Sequence, residues 1–527
     1  MTATLTPTSR TALLDELETT SFDVIVIGGG IAGAGIARDA AARGLRVALC
    51  ESGDFGVGTS SRSSKLIHGG LRYLAQGRVD FVRRTARERA AVHVMAPHLA
   101  RPVWMVVPAR HRMQSEWFRC ALAVYERLGS VSRDDAHVGW DRDELERREP
   151  ALRLDTHGRA IAFREYLTDD ARLVLAVLRA AAASGAVLAS QAPVRALLRQ
   201  GTRITGVIAH CPVTGREVKI RGSAVVNAAG PWVDHVARLE AESPAANVLV
   251  SKGVHVVLDR GALPVQHPIL CTASDGRWVY VIPRGEVVYV GTTDTPYEHE
   301  RVTWPAIDRA DVDYLLEPLA RYFATQPPTA GDVLAAWAGL RALPVRRSRK
   351  SVSMSREAEL RVGPGRLLSV AGGKLTGFAG LAASAVEMVG RLLERDLPPG
   401  PGTAPLPAAA AEPIVGDERL HHLYGADAPQ VMGQGAGRLV DGAPVLTGEV
   451  DWAVGVEAAT TVEDVIYRRT LAAWFQPHHR AELAAAIADR MTELLAWSPQ
   501  QREEQVHSVQ QRFAGELEFS RAADNDA

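Results

Sequence analysis

The segment Phe22 to Glu51, FDVIVIGGGIAGAGIARDAAARGLRVALCE, restricts the fold more than any other part of the chain. Phe22 to Ile27 is apolar apart from Asp23, the composition of a parallel strand buried on both faces. Gly28, Gly30 and Gly33 follow as G-x-G-x-x-G and open an alanine-rich helix that ends at Gly44. Leu45 to Cys50 reads as the returning strand, and Glu51 closes it. The glycines have separate duties: Gly28 permits a tight turn, Gly30 admits a pyrophosphate, and Gly33 brings helix and strand together. Unpaired N–H groups and the dipole at the helix start favour phosphate. Glu51 stands where a carboxylate accepts a ribose hydroxyl. The pattern predicts a Rossmann-like α/β domain that binds a dinucleotide. By itself it does not choose between FAD and NAD, and a glycine turn used only for packing is the alternative.

At 527 residues the chain is too long for one core, so two or three domains are expected. Lys plus Arg number 60 against 61 Asp plus Glu, which leaves no global field to recruit nucleic acid or anionic lipid. Cys50, Cys120, Cys211 and Cys271 show no C-x-x-C spacing, which argues against a metal site or a disulfide framework and fits a reducing cytoplasm. The first twenty residues lack the apolar core of a signal peptide, and no apolar stretch is long enough to span a bilayer. Membrane contact, if any, is expected to be peripheral.

Residues 1–21 read as a flexible lead with a turn or two of helix around Leu13 to Leu17. Ser52 to Gly70 is a glycine- and serine-rich loop suited to packing on a nucleotide, with plain surface as the alternative. Leu71 to Met95 and Arg112 to Leu128 read as helices. The second is amphipathic, with Trp117, Phe118, Leu122, Val124, Tyr125 and Leu128 among arginines; core packing and docking at a membrane interface are both open. Thr168 to Ala189 reads as helix then strand, and Val194 to Arg221 as an antiparallel hairpin unit. Ala224 to Asp234, AVVNAAGPWVD, is a strand ending in small residues where a ligand can lie. Ser251 to Leu258, Gly276 to Pro283 and Glu286 to Gly291 alternate as strands of an antiparallel second domain. Leu367 to Gly377, LLSVAGGKLTG, repeats the strand, glycine turn and helix of the opening. The domain expectation is therefore 22–395 for a cofactor domain interleaved with a substrate sheet (mainly 75–220 and 245–345), 396–416 for a linker, and 417–527 for a helical cap. From about Ser498 the chain turns polar, and it reads as ending in a loose acidic tail.

These stretches together resemble the FAD-dependent glycerol-3-phosphate dehydrogenases, within the wider group of glycine-oxidase-like flavoproteins. The resemblance runs from about Phe22 to the C-terminal helices. TSSRSSKLIHGGLRYL, Thr59 to Leu74, is its most specific part. It is supported by MAPHLARP from Met95, NAAGPWVD from Asn227, KGVH from Lys252, GTTD from Gly291, GLRAL from Gly339, GGKLTG from Gly372 and the C-terminal VEDVIYRRT. The resemblance implies FAD, held extended with its pyrophosphate on Gly28 to Gly33 and its ribose on Glu51. Further cofactor contacts implied are Thr59, Ser60, Ser61, Ser64, Lys65, Leu66, His68, Gly69 and Gly70 on the loop. Ala229, Gly230 and Trp232 add a third segment, and Gly372, Gly373, Lys374, Leu375 and Thr376 a fourth.

Oxidising an alcohol at a flavin requires the carbon-bound hydrogen to face N5, a base for the hydroxyl proton, and a clamp on the anionic end. The resemblance makes Arg72, Tyr73, Thr293 and Lys374 substrate ligands and Arg341 a catalytic cation. His255 is the leading base candidate because imidazole titrates in the right range, although a lone histidine in a strand is commonly a packed core residue. The implied reaction is oxidation of glycerol 3-phosphate, with electrons passing to a membrane quinone at the inner face of the cytoplasmic membrane. An amino-acid or 2-hydroxy-acid oxidase of the same fold is the alternative. The sequence does not decide whether the chain forms a homodimer. Leu375-Thr-Gly-Phe-Ala379 departs from the family's L-T-T-Y-R, which puts the local ligands near the flavin in doubt.

Overall fold

The computed structural model describes residues 4–7, 9–67, 79–129, 133–241, 247–347, 352–354, 358–413 and 416–521. His68, Gly69, Gly70, Arg72 and Tyr73 lie outside the described residues.

Ser21–Ile27 forms the central strand of the first sheet, with the helix Ile31–Ala42 and the strand Val47–Cys50 after it. All six residues from Phe22 to Ile27 are buried, as a strand covered on both faces requires. Val47–Cys50 and then Val187–Ala189 pair parallel on one side. Arg216–Asn227 and then Leu368–Ala371 pair parallel on the other. The strand order therefore reverses beside Ser21–Ile27, which is the switch point where open α/β sheets bind ligands at their carboxyl edge. The hairpin unit expected over Val194 to Arg221 is an antiparallel meander whose last strand, Arg216–Asn227, continues into the parallel sheet.

The second sheet is mainly antiparallel and has eleven strands among the described residues. Its centre is Val248–Asp259 between Ala335–Arg347 and Val287–Gly291. Val254, Val256 and Leu258 face a core shared with the helix Arg309–Tyr322. Val257 on the opposite face joins a core built with the C-terminal helices, in which Tyr289 and Trp337 meet Trp474 and Phe475. The helical C-terminal unit is thus one hydrophobic body with the second sheet.

The lead is more ordered than expected among its described residues, and residues 522–527, where the acidic tail was expected, lie outside the described residues. Arg10–Thr19 is a helix capped by Ser9, and Leu13, Leu14 and Leu17 are buried against the first sheet. Leu5 N–H donates to the Val456 carbonyl at 2.7 Å, so the lead is packed at two points. The polar stretch after Ser498 is a helix, Pro499–Glu516, which buries Val509 and Phe513. Its start carries a full signal, Ser498 as N-cap, proline in the first turn and a reciprocal bond from Gln501. Residues 396–413 contain no helix or strand but are tied down, with the Ala404 carbonyl accepting from Arg38 and Leu406 N–H donating to Met95.

Candidate active site

A cavity of about 610 Å³ runs along the carboxyl edge of the first sheet and under the second. That size is within the range of cofactor and small-ligand sites. Gly28 and Gly30 lie at one end, and Gly28 has φ +110°. A Cβ there would stand 2.6 Å from the Ala228 carbonyl oxygen, so the turn requires glycine. Gly33 does not line the cavity; a Cβ on it would lie 1.9 Å from the Gly28 oxygen, and its role is to seat the helix on the turn. The helix begins at Gly30, which has no side chain to cap it. Ser60 Oγ, 3.0 Å from Ile31 N–H, reaches that end.

Glu51 lines the same end. Its carboxylate accepts from Gly29 N–H at 2.6 Å, Ser52 Oγ at 2.8 Å and Gly53 N–H at 2.9 Å. The acid is oriented before any ligand arrives. Thr59, Ser60, Ser64 and Leu66 line the cavity from the serine loop, Ala229, Gly230 and Trp232 from the edge of Arg216–Asn227, and Gly372 to Thr376 from the far turn. Four separate segments thus converge. Phe378, the departure from the family pattern, also lines the cavity and packs beside Gly35 of the cofactor helix. The bare helix end, the positioned acid and the long groove between two sheets fit an extended dinucleotide carrying a second planar ring.

Two loop residues point elsewhere. Ser61 is buried, with its hydroxyl 3.3 Å from the Gly58 carbonyl. Lys65 is fully buried with φ +53°, and its ammonium pairs with Asp170 at 2.7 Å and lies over Trp474. It anchors the loop, and its surroundings push its pKa down chiefly through burial. Thr293 likewise stands apart from the cavity. Its hydroxyl accepts from Val254 N–H at 3.0 Å within the sheet.

Arg341, Lys374 and Ser64 face the cavity together. Arg341 donates to the Thr293 carbonyl at 2.9 Å and Thr292 Oγ1 at 2.7 Å, and pairs with Asp294 at 3.3 Å. Lys374 acts electrostatically on Glu88, whose carboxyl is pushed up by burial and drawn back by Arg84 and Lys374. His255 is buried, with Nε2 2.9 Å from Ser64 Oγ and the ring stacked on Trp337. Burial first, then the cations Arg341 and Lys65, hold its pKa well below the ordinary histidine value. The ring is neutral at physiological pH.

Sequence reasoning missed Arg277 and Arg62, both of which line the cavity. Arg277 donates to the Asp294 carbonyl at 3.0 Å, beside Arg341. Arg62, inside the serine loop, lies 3.9 Å over Trp304, and burial with nearby Arg468 pushes its pKa down to about 9. Arg62 sits in TSSRSSK itself, but nothing in the motif singles out the arginine.

The family model "FAD dependent oxidoreductase" matches residues 23–391, which defines the chain as an FAD-dependent oxidoreductase. A second model, the C-terminal domain of alpha-glycerophosphate oxidase, matches residues 405–502. The aerobic glycerol-3-phosphate dehydrogenase of Bacillus subtilis is 32% identical over 95% of this chain and 96% of its own. That of a Staphylococcus epidermidis strain is 36% identical over 74% of this chain and 71% of its own. The structure of glycerol-3-phosphate dehydrogenase from Bacillus halodurans complexed with FAD superposes with a TM-score of 0.80 at 29% identity, covering 98% of this chain and 99% of the other. Glycine oxidase from Geobacillus kaustophilus shares the fold, with a TM-score of 0.51 at 20% identity over 72% of this chain and 96% of the other. The chain belongs to the aerobic glycerol-3-phosphate dehydrogenase family.

Proposed function

We propose that the chain oxidises sn-glycerol 3-phosphate at C2 to dihydroxyacetone phosphate and passes the electrons to a membrane quinone. The observation that carries this reading is that Arg341, Arg277 and Lys374 line the same cavity as the cofactor turn. Several cations suit a phosphate dianion, whereas one arginine suffices for a carboxylate. The names of the relatives agree with this substrate. Bound FAD supplies the acceptor, at N5, for the hydride from C2.

The protein's own groups supply the rest. Arg341, held by Thr292 and by the Thr293 backbone, orients the substrate and stabilises the developing alkoxide. Neutral His255 takes the hydroxyl proton. Lys374 binds the phosphate; Arg72 and Tyr73 join it on the resemblance alone. Thr293 enters this scheme through its carbonyl, not its hydroxyl.

The quinone rests on the resemblance, and the helix Arg112–Gly129 permits the membrane contact it needs. Its inner side buries Leu122 and Tyr125, while Met113, Trp117 and Val124 are exposed at 75%, 54% and 48%. These three recur at helical spacing beside Arg112, Arg119 and Arg127, a combination suited to an anionic interface. No described helix is long and apolar enough to cross a membrane.

Anaerobic mixing of the purified holoprotein with glycerol 3-phosphate, lactate or an amino acid, followed by flavin absorbance, tests the reading. Bleaching by glycerol 3-phosphate is expected. Bleaching by either of the others but not by glycerol 3-phosphate would replace it with the oxidase alternative.

A further inference from the structure

His255 is sealed from the cavity whose chemistry it is proposed to serve. The ring lies on Trp337, with centroids 4.8 Å apart and planes 11° apart, and is not among the lining residues. Its edge rests on Gly291, where a Cβ would come within 2.0 Å of the ring. Nδ1 is buried with no hydrogen-bond partner among the described residues. Nε2 has one, Ser64 Oγ at 2.9 Å.

Ser64, by contrast, does line the cavity. It is held on two sides. Its carbonyl accepts from the buried Tyr289 hydroxyl at 3.2 Å, and the next residue, Lys65, is locked to Asp170. The serine hydroxyl therefore stands between the cavity and the ring. A hydroxyl can accept one proton while giving up another, so it transmits a proton without changing its own charge.

We infer that Ser64 is a catalytic proton relay, carrying the substrate hydroxyl proton to His255 Nε2. This rests on the reading that the substrate is a secondary alcohol oxidised at the flavin. As the C2–H bond breaks, its electron pair leaves with the hydrogen to the flavin. The substrate O–H proton passes to Ser64 Oγ, and the Ser64 proton passes to His255 Nε2. The products are a ketone and an imidazolium. The charged groups acting on the ring are Arg341, from the strand Ala335–Arg347, and Lys65, from the loop; Tyr289 faces it from Val287–Gly291. Both charges are positive, so the resting ring is neutral and able to accept.

The relay requires the resting ring to carry its proton on Nδ1, leaving the Nε2 lone pair toward Ser64. ¹⁵N-histidine NMR of the substrate-free holoenzyme, with His255→Asn used for assignment, reads this directly. An Nδ1–H tautomer is expected, and an Nε2–H tautomer would overturn the relay. In anaerobic flavin reduction by glycerol 3-phosphate, Ser64→Ala with full FAD content should be slowed about 100-fold or more, while Ser64→Thr stays within about tenfold of wild type. A Ser64→Ala enzyme with wild-type rate and wild-type acid limb, alongside a slow His255→Asn, removes the relay and leaves His255 as a direct base. Where Ser64→Ala does not retain FAD, the tautomer of the wild-type ring decides. If wild-type flavin stays oxidised in glycerol 3-phosphate, the substrate reading and the relay fall together.

Discussion

Arg469, in the helical C-terminal unit, donates through Nη2 to Asp54 Oδ1 at 2.9 Å, with both side chains buried. Asp54 lies three residues after Glu51, on the loop that goes on to line the cavity. Arg468 reaches the same carboxylate, and both arginines come from a single π-helical turn, Val465–Arg469. Such a turn lets consecutive arginines converge on one acid, and these insertions are frequent at functional sites. The C-terminal unit thereby holds the cofactor loop from outside.

Removing Asp54 leaves the buried Arg469 guanidinium without a carboxylate partner among the described residues, since its other bonds are to backbone carbonyls. Asp54→Ala should destabilise the protein by about 3–5 kcal/mol and weaken FAD retention. Thermal unfolding, together with flavin fluorescence released on dilution, would measure both effects. Unchanged FAD retention would separate the clamp from the cofactor.

Acid should loosen the same contact. The two arginines outweigh burial and lower the Asp54 pKa, so its contribution is present above the unfolded value near about 4 and lost as pH falls through the folded value. Buried histidines act earlier. Burial pushes His157 down to about 4 and His98 down to about 3, so their contribution is full above pH about 6.5 and declines as pH falls toward those values. Stability measured by denaturant between pH 7 and 4 should fall continuously.

The pH dependence of flavin reduction has the opposite use for His255. A base works when neutral, and its depressed pKa keeps it neutral from pH about 6.5 upward. Stopped-flow rates should show no acid limb from this group above pH 6.5 and decline only below it. A limb centred at pH 7 or higher would contradict His255 as the base.

Arg341→Lys should not be conservative. The guanidinium spans Thr292 Oγ1 and the Thr293 carbonyl at once, which a single ammonium does not reproduce. A loss of about 100-fold in kcat/KM is expected, corresponding to roughly 3 kcal/mol of transition-state stabilisation. Steady-state kinetics with a soluble acceptor would read it.

Trp117→Glu addresses the exposed stripe. The substitution should reduce co-sedimentation with anionic vesicles severalfold while leaving glycerol 3-phosphate oxidation with a soluble acceptor unchanged. Equal sedimentation of both proteins would exclude this helix as the docking surface.

Much of this was legible in short windows. The turn at Gly28, the helix that follows and Glu51 sit within thirty residues, where strand and helix periodicity leave a readable pattern. The loop at Thr59 and the turn at Gly372 were equally local. The full extent of the helices Arg10–Thr19 and Pro499–Glu516 was less legible, because their polar surface masks small buried faces: Leu13, Leu14 and Leu17 in one, Val509 and Phe513 in the other. Ser498 and Gln501 formed a capping box that did signal the last helix.

The dinucleotide fold was legible from near neighbours in the chain, and the flavin family from the resemblance of several short motifs spread along it. Only the tertiary structure decided that Thr293 turns its hydroxyl into the sheet, that Lys65 pairs with Asp170, and that Ser64 stands between His255 and the cavity. Ser64 and His255 are 191 positions apart, and Asp54 and Arg469 are 415. Contacts over such separations arise from the packing of whole sheets and helices, and they leave no periodicity along the chain from which they could be read.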